Sequence, residues 1–276
     1  MMLALTASAQ TIEELRGQLK ENWNVKDWPA TEAIARRITA LPQSTTDDWR
    51  SLARVLSIQK KADDAFAVRT ELVGRPGAIS EDFNAICWYQ IERNRPVDAR
   101  PACDRAVSLK ANNWAALVNL GHTWLLVGDL GRAQEWYRKT LQHIQKDEEI
   151  QQGPLEDFNL FSRNGWAMAA VPTAKRWFEQ AWPTLKDLRK RRFAATNDTS
   201  TLTKSQDAMM ELLALRKQVI SLVGDGDEAD SFLLRYSLVV SSAIRRLILQ
   251  DRQPDQAIAF VEKALQAASS ELPDVD

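Results

Sequence analysis

The chain has 276 residues, 45% of them hydrophobic and 26% charged, with 36 basic side chains against 37 acidic ones. That balance lacks the strongly basic footprint of a nucleic-acid binder, so no nucleic-acid partner is expected. Ten glycines and ten prolines are few for the many tight turns of an all-β protein, and the apolar residues recur at helical spacing, which predicts an all-α chain.

Residues 1–10 combine a short apolar run with Ala7-Ser8-Ala9, a small-x-small pattern of the kind cut by signal peptidase, here before Gln10. They read as a signal-peptide remnant, the alternative being a plain N-terminal tail. No cysteine stands where a lipid-anchored terminus would need one. Residues 11–45 predict a degenerate helix pair. Its first helix opens on a capping box, Thr11 with Glu14, and its second opens near Pro29 and ends before Pro42.

Three units follow in unbroken 34-residue register, at 46–79, 80–113 and 114–147. In the third, Leu117, the pair Leu120-Gly121, Trp124, the turn Gly128-Asp129, Ala133 and Tyr137 are placed as two antiparallel helices require. Gly121 and Ala133 are small where the helices approach, and the large residues fill the seam. Trp49, Leu52, Ala53, Leu56 and Ala65 take the same slots in the first unit. In the second they are Phe83, Ile86, Cys87, Gln90 and Ala99, then Cys103 and Ala106. Gln90 and Arg69 stand where aromatics would be expected. Asn94-Arg95-Pro96 turns the second unit as Gly128-Asp129 turns the third.

This pattern resembles the tetratricopeptide repeat, a helix-turn-helix family with a 34-residue period. The resemblance implies a right-handed superhelical solenoid of antiparallel helix pairs, here with a C-terminal helical cap, and an inner surface lined by the first helix of each unit.

At 148–154 the register slips, and the Gly153-Pro154 pair reads as a loop that breaks the preceding helix. A fourth unit is expected at 155–188, through Phe158, Phe161, Ser162, Ala174, Phe178 and Ala181, completing a repeat region over 46–195. Its second helix either stops before Pro183 or continues through the basic run from Lys186 to Arg192. Residues 196–276 hold a polar linker over 196–203 and helices near 204–222, 230–250 and 254–269. The last two read as a further degenerate repeat over 238–270. The apolar stretch 231–249 carries Arg235, Arg245 and Arg246, which argues against a membrane span.

On the groove face that the resemblance implies lie Arg50, Arg54, Asn84, Trp88, Asn119, His122, Asn159 and Arg163, with Trp166 beside them. Asn119 fills a slot where members of the family often hold a peptide backbone, work suited to a side chain that both donates and accepts. Arg50 and Arg54, one turn apart, could grip a carboxylate. Trp88 and Trp166 are the candidate anchors, whereas Trp49, Trp114, Trp124, Trp177 and Trp182 fit seam packing. The lysines and asparagines of the dicarboxylate clamp seen in chaperone-binding relatives are not matched together.

The repeat also sets Cys87 and Cys103 on facing helices of one unit. Either a disulfide in an oxidising compartment or two buried thiols fits that placement. With two histidines, His122 and His143, the cysteines form no metal-ligand spacing. There is no phosphate-binding Gly-rich loop, nucleophile elbow or HExxH helix, so neither catalysis nor a cofactor is expected. The turn Gly224-Asp225-Gly226-Asp227-Glu228 reads as a capping loop rather than a calcium site. Lys186, Arg189, Lys190, Arg191 and Arg192 suit a helix C-terminus.

The expected function is therefore that of a non-enzymatic scaffold or adaptor holding a protein or peptide partner, exported to the periplasm or secreted. The alternatives are a cytoplasmic peptide-sensing or regulatory protein of the same fold and an auxiliary subunit of an enzyme complex. Self-association as a homodimer stays open, because solenoid ends leave apolar faces uncovered.

Overall fold

The computed structural model describes residues 10–197, 199–251 and 253–270. Every regular element among them is helical. The signal-peptide reading of residues 1–10 falls, except for Gln10, outside the described residues.

Eight helices open the chain: α1 (Ile12–Asn24), α2 (Trp28–Thr39), α3 (Thr46–Ile58), α4 (Ala62–Val73), α5 (Ser80–Ile91), α6 (Pro96–Leu109), α7 (Trp114–Leu126) and α8 (Leu130–His143). The odd-numbered helices start at 12, 46, 80 and 114 and the even-numbered ones at 28, 62, 96 and 130, so both series keep one constant period. The turns inside the pairs keep the same spacing. Lys26, Lys60, Asn94 and Gly128 all adopt positive φ, at 59°, 60°, 53° and 88°. The pair at 11–45, degenerate in its residues, thus holds the full period in its backbone. Two lysines take the left-handed conformation that Asn and Gly adopt at lower steric cost.

The chain forms two compact units that divide after Ala133, inside α8. In the first, consecutive helices pack on one another from α1 through α7, and α5 also touches α7. Local sequence fixes the ends. Thr11 and Glu14 form the capping box of α1, Asp27 caps α2 through the Ala30 N–H, and Asn113 caps α7 through the Ala116 N–H. Small residues recur where helices approach, Ala53, Cys87 and Gly121 in the first helices and Ala65, Ala99 and Ala133 in the second, all buried. Between them Leu52, Val55 and Leu56 pack with Ala35 and Ala65, flanked by Trp23, Trp28 and Val68. Each such buried aliphatic side chain contributes roughly 1.5–3 kcal/mol.

In the second unit α9 (Asp147–Ile150), a π-helical turn (Gln151–Leu155) and α10 (Glu156–Arg163) run on without a break, followed by α11 (Val171–Ala194), α12 (Leu202–Val223), α13 (Asp227–Leu249) and α14 (Pro254–Ser269). The expected loop over 148–154 is instead helical. Glu149 accepts the N–H groups of Gln145 and Lys146, which starts a new helix, and the π turn absorbs Pro154 and the non-helical Gly153. The first helix of the expected fourth unit is consequently only 8 residues long, while α11 runs for 24 and continues through Pro183. Tyr137, Phe158, Phe161 and Phe178 form an aromatic core, with the Tyr137 ring 5.8 Å from Phe158 and 5.1 Å from Phe178. Burial raises the pKa of the Tyr137 hydroxyl well above its ordinary value. No helix among the described residues is long and apolar enough to cross a membrane.

Candidate ligand-binding surface

The side chains proposed for a groove separate into structural and available groups. Arg50 belongs to the first kind. Its Nε donates to both carboxylate oxygens of Asp82, at 3.1 and 2.9 Å, and its remaining donors reach Asp47 and the Gly77 carbonyl. Asp82 in turn accepts the Ile79 N–H at 2.9 Å at the start of α5. The same device stands one repeat earlier. Arg16 makes a bidentate pair with Asp48, at 3.1 and 2.7 Å, while Asp48 accepts the Thr45 N–H. Burial raises the Asp48 pKa, but Arg16 and the Thr45 donors outweigh it and leave the carboxyl below its ordinary range.

Asn84 is likewise engaged, accepting from the Asn119 amide at 3.0 Å. Asn119 and His122 do not lie on an open face, being 5% and 0% exposed. α7, packed on α5 and α6, buries Ala116–Thr123 as a continuous run with its polar residues included, and so leaves no polar stripe for solvent.

Arg54 and Trp88 are available. They share one register position with Lys20 and His122, one in each successive repeat, and along that row Lys20 and Arg54 are exposed, Trp88 is half-buried and His122 is closed off. The Arg54 guanidinium lies 5.1 Å from the ring centroid of Trp23 and with it lines a depression of about 280 Å³, shared with Asp47, Arg50 and Ser51. Trp88 lines a second hollow, of about 310 Å³, with Phe66, Arg69, Tyr89 and others. The Tyr89 ring stacks on Phe66 at 3.8 Å and 11°, and its hydroxyl donates to Asp63 at 2.7 Å. Asp63 also accepts from Arg93 at 2.6 Å. The hydrogen bond from Tyr89, and the hydrogen bond and charge of Arg93, lower the Asp63 pKa.

In the second unit Asn159 and Arg163 line an open depression of about 600 Å³ with Gln151, Leu155, Glu156 and Ser162. Asn159 accepts from the Lys175 ammonium at 2.8 Å. Trp166 does not lie on a helix face. The left-handed Gly165 and Ala167 place it in the turn after α10, with its ring 6.0 Å from Phe161. The basic run turns inward as well: Arg189 and Arg192 hold the buried Glu228, and Lys186 holds Asp147.

Sequence reasoning missed Trp23, Phe66, Arg69 and Tyr89. Trp23 was hidden by the degeneracy of its pair, Phe66 and Tyr89 lie beside the signature slots, and Arg69 carried a signal as the arginine in an aromatic's slot. Cys87 and Cys103, both buried, have Cα atoms 5.2 Å apart and sulfurs joined as a disulfide between α5 and α6.

Fold and surface together define a class, an all-helical protein whose first unit is an array of consecutively packed helix pairs repeating at one fixed period, with an aromatic and cationic row along its first helices. No protein-family model and no curated protein sequence matches the chain.

Proposed function

We propose that this chain is a non-enzymatic scaffold of the tetratricopeptide type, which holds an extended peptide segment of a partner protein along the first-helix row of its N-terminal unit. The observation that carries the reading is the row itself. Lys20, Arg54 and Trp88 recur at the repeat spacing on α1, α3 and α5, beside Trp23, on helices whose own packing is already satisfied. A receptor surface built on rigid helices loses little entropy on binding, and tryptophan with arginine is the usual composition of a binding hot spot.

The envelope of a bacterium is the proposed compartment. A disulfide between Cys87 and Cys103 suits an oxidising environment, and the small-x-small site before Gln10 suits export.

Panning a displayed random peptide library on the wild-type protein and on an R54A/W88A double variant tests the binding reading. Enrichment by the wild type that the double variant loses, with helicity unchanged by circular dichroism, is the expected result. Equal enrichment by both proteins would remove the row from the binding surface, and no enrichment by either would remove the peptide-scaffold reading.

A further inference from the structure

The hollow between α4 and α5 has a chemistry that the row alone does not account for. Its volume, about 310 Å³, matches one or two side chains rather than a large cofactor. Its lining combines the aromatic Phe66, Tyr89 and Trp88 with the cationic Arg69 and Lys60 and the acidic Glu92. Arg69 is half-buried on α4. Its guanidinium makes no hydrogen bond or ion pair with any described residue, as is also true of Arg54, whereas Arg50 and Arg93 are paired. Burial lowers its pKa, and Asp82 counteracts this only through space. Lys60, held at φ 60° by the turn between α3 and α4, is also unpaired among the described residues.

The Arg69 guanidinium thus offers a donor fork that no described residue occupies in a partly desolvated site, and a carboxylate is the group whose geometry matches that fork. Phe66 and Trp88, with the edge of a Tyr89 ring whose faces are taken by Phe66 and by the Arg93 guanidinium at 3.5 Å, supply a contact surface for an apolar side chain beside it. From this juxtaposition we propose that the cavity between α4 and α5 is a subsite for a peptide carboxylate carried next to an aromatic residue, with Arg69 as the carboxylate-binding residue and Phe66, Tyr89 and Trp88 as the wall of the side-chain pocket.

The subsite rests on the peptide-scaffold reading, since it would select which segment the row holds. It differs from the Arg50–Arg54 pair, because Arg50 is already committed to Asp82. The carboxylate could be a chain terminus or an acidic side chain, and the probes must separate the two.

The test is titration calorimetry on the full chain with three synthetic peptides: N-acetyl-Ser-Gly-Phe with a free C-terminal carboxylate, N-acetyl-Phe-Asp-Gly-amide, and N-acetyl-Phe-Asn-Gly-amide as the uncharged control. At least one acidic peptide should bind the wild type tenfold or more tightly than the control, and which one does identifies the source of the carboxylate. Arg69→Gln should remove that tenfold difference and Arg69→Lys should restore part of it, since the charge returns without the fork. Both variants should melt close to the wild-type temperature, because no hydrogen bond or ion pair with a described residue is lost. A wild type that binds all three alike or none of them, or an Arg69→Gln variant that still discriminates, would overturn the subsite. Library peptides that need Arg54 and Trp88 yet show no dependence on Arg69 would sink this inference and leave the scaffold reading standing.

Discussion

Arg50 on α3 holds Asp82 on α5 across 32 residues of chain, and Arg16 on α1 holds Asp48 on α3 across the same separation. Each aspartate also accepts the N–H of the residue just before its own helix, so one carboxylate both starts a helix and fastens it to the preceding repeat. The ladder then stops. At the next arginine position stands Asn84, whose partner is Asn119, and the next aspartate position is Ala116.

Asp82, only 3% exposed at its side chain, should therefore matter for stability rather than for binding. Asp82→Ala removes a cap and leaves Arg50 without its main partner, so chemical denaturation should show a loss of about 3 kcal/mol. Arg50→Ala should cost less, because Asp82 keeps its backbone donor. Peptide capture by the folded Arg50→Ala protein should match the wild type; a selective loss of capture would return Arg50 to the binding surface.

The four left-handed turn residues carry a prediction of opposite sign. Lys26 pays the Cβ penalty at φ 59°. Lys26→Gly should raise stability by about 1 kcal/mol, and Gly128→Ala, at φ 88° with open space around it, should lower stability by a similar amount for the same reason. Denaturant midpoints of both variants measure this, and a destabilised Lys26→Gly would contradict it.

Glu32 governs an acid-range dependence. Lys61, then Arg36 and Gln59, lower its pKa by hydrogen bonds that outweigh the effect of burial. A lowered folded pKa means that the unfolded chain binds the proton first. The stabilisation is thus fully present above the ordinary carboxylate pKa of about 4.3 and is lost as pH falls from there through the lowered folded value. Asp48, lowered in the same way by Arg16, adds to the slope. Glu32→Gln should melt lower than the wild type at pH 7 and show a shallower decline between about pH 5 and pH 3. Identical pH profiles for the two proteins would rule out this role for Glu32.

The Cys87–Cys103 bond closes a loop of 16 residues inside one helix pair. In the loop-entropy model such a closure stabilises by about 3 kcal/mol. The oxidised protein should unfold at higher denaturant than protein held in reductant, and Cys87→Ser/Cys103→Ser should behave as the reduced form. Midpoints unaffected by reductant would show that the bond contributes nothing to stability.

Much of the fold was legible because its period is written in small residues. Ala53, Cys87 and Gly121, with Ala65, Ala99 and Ala133, recur once per repeat where helices touch, and all are buried. The same period in 11–45 was hidden because Lys26 supplies the turn there, and lysine gives no sign of a left-handed backbone. Beyond residue 147 the pattern misled, since Glu149 and a π turn keep the chain helical where Gly153-Pro154 suggested a break. The surface was read only in part. Register set Arg54 and Trp88 on one row, but position alone could not show that Asp82 claims Arg50 or that His122 is buried with the rest of α7.

Site-specific photo-crosslinking in the source cells tests the central claim most directly, with a benzophenone amino acid at position 54 or, as a control, at the exposed Arg105 on α6. Position 54 should crosslink to one partner segment, and position 105 should give no crosslink to that segment. The same partner captured from position 105 and not from position 54 would contradict it.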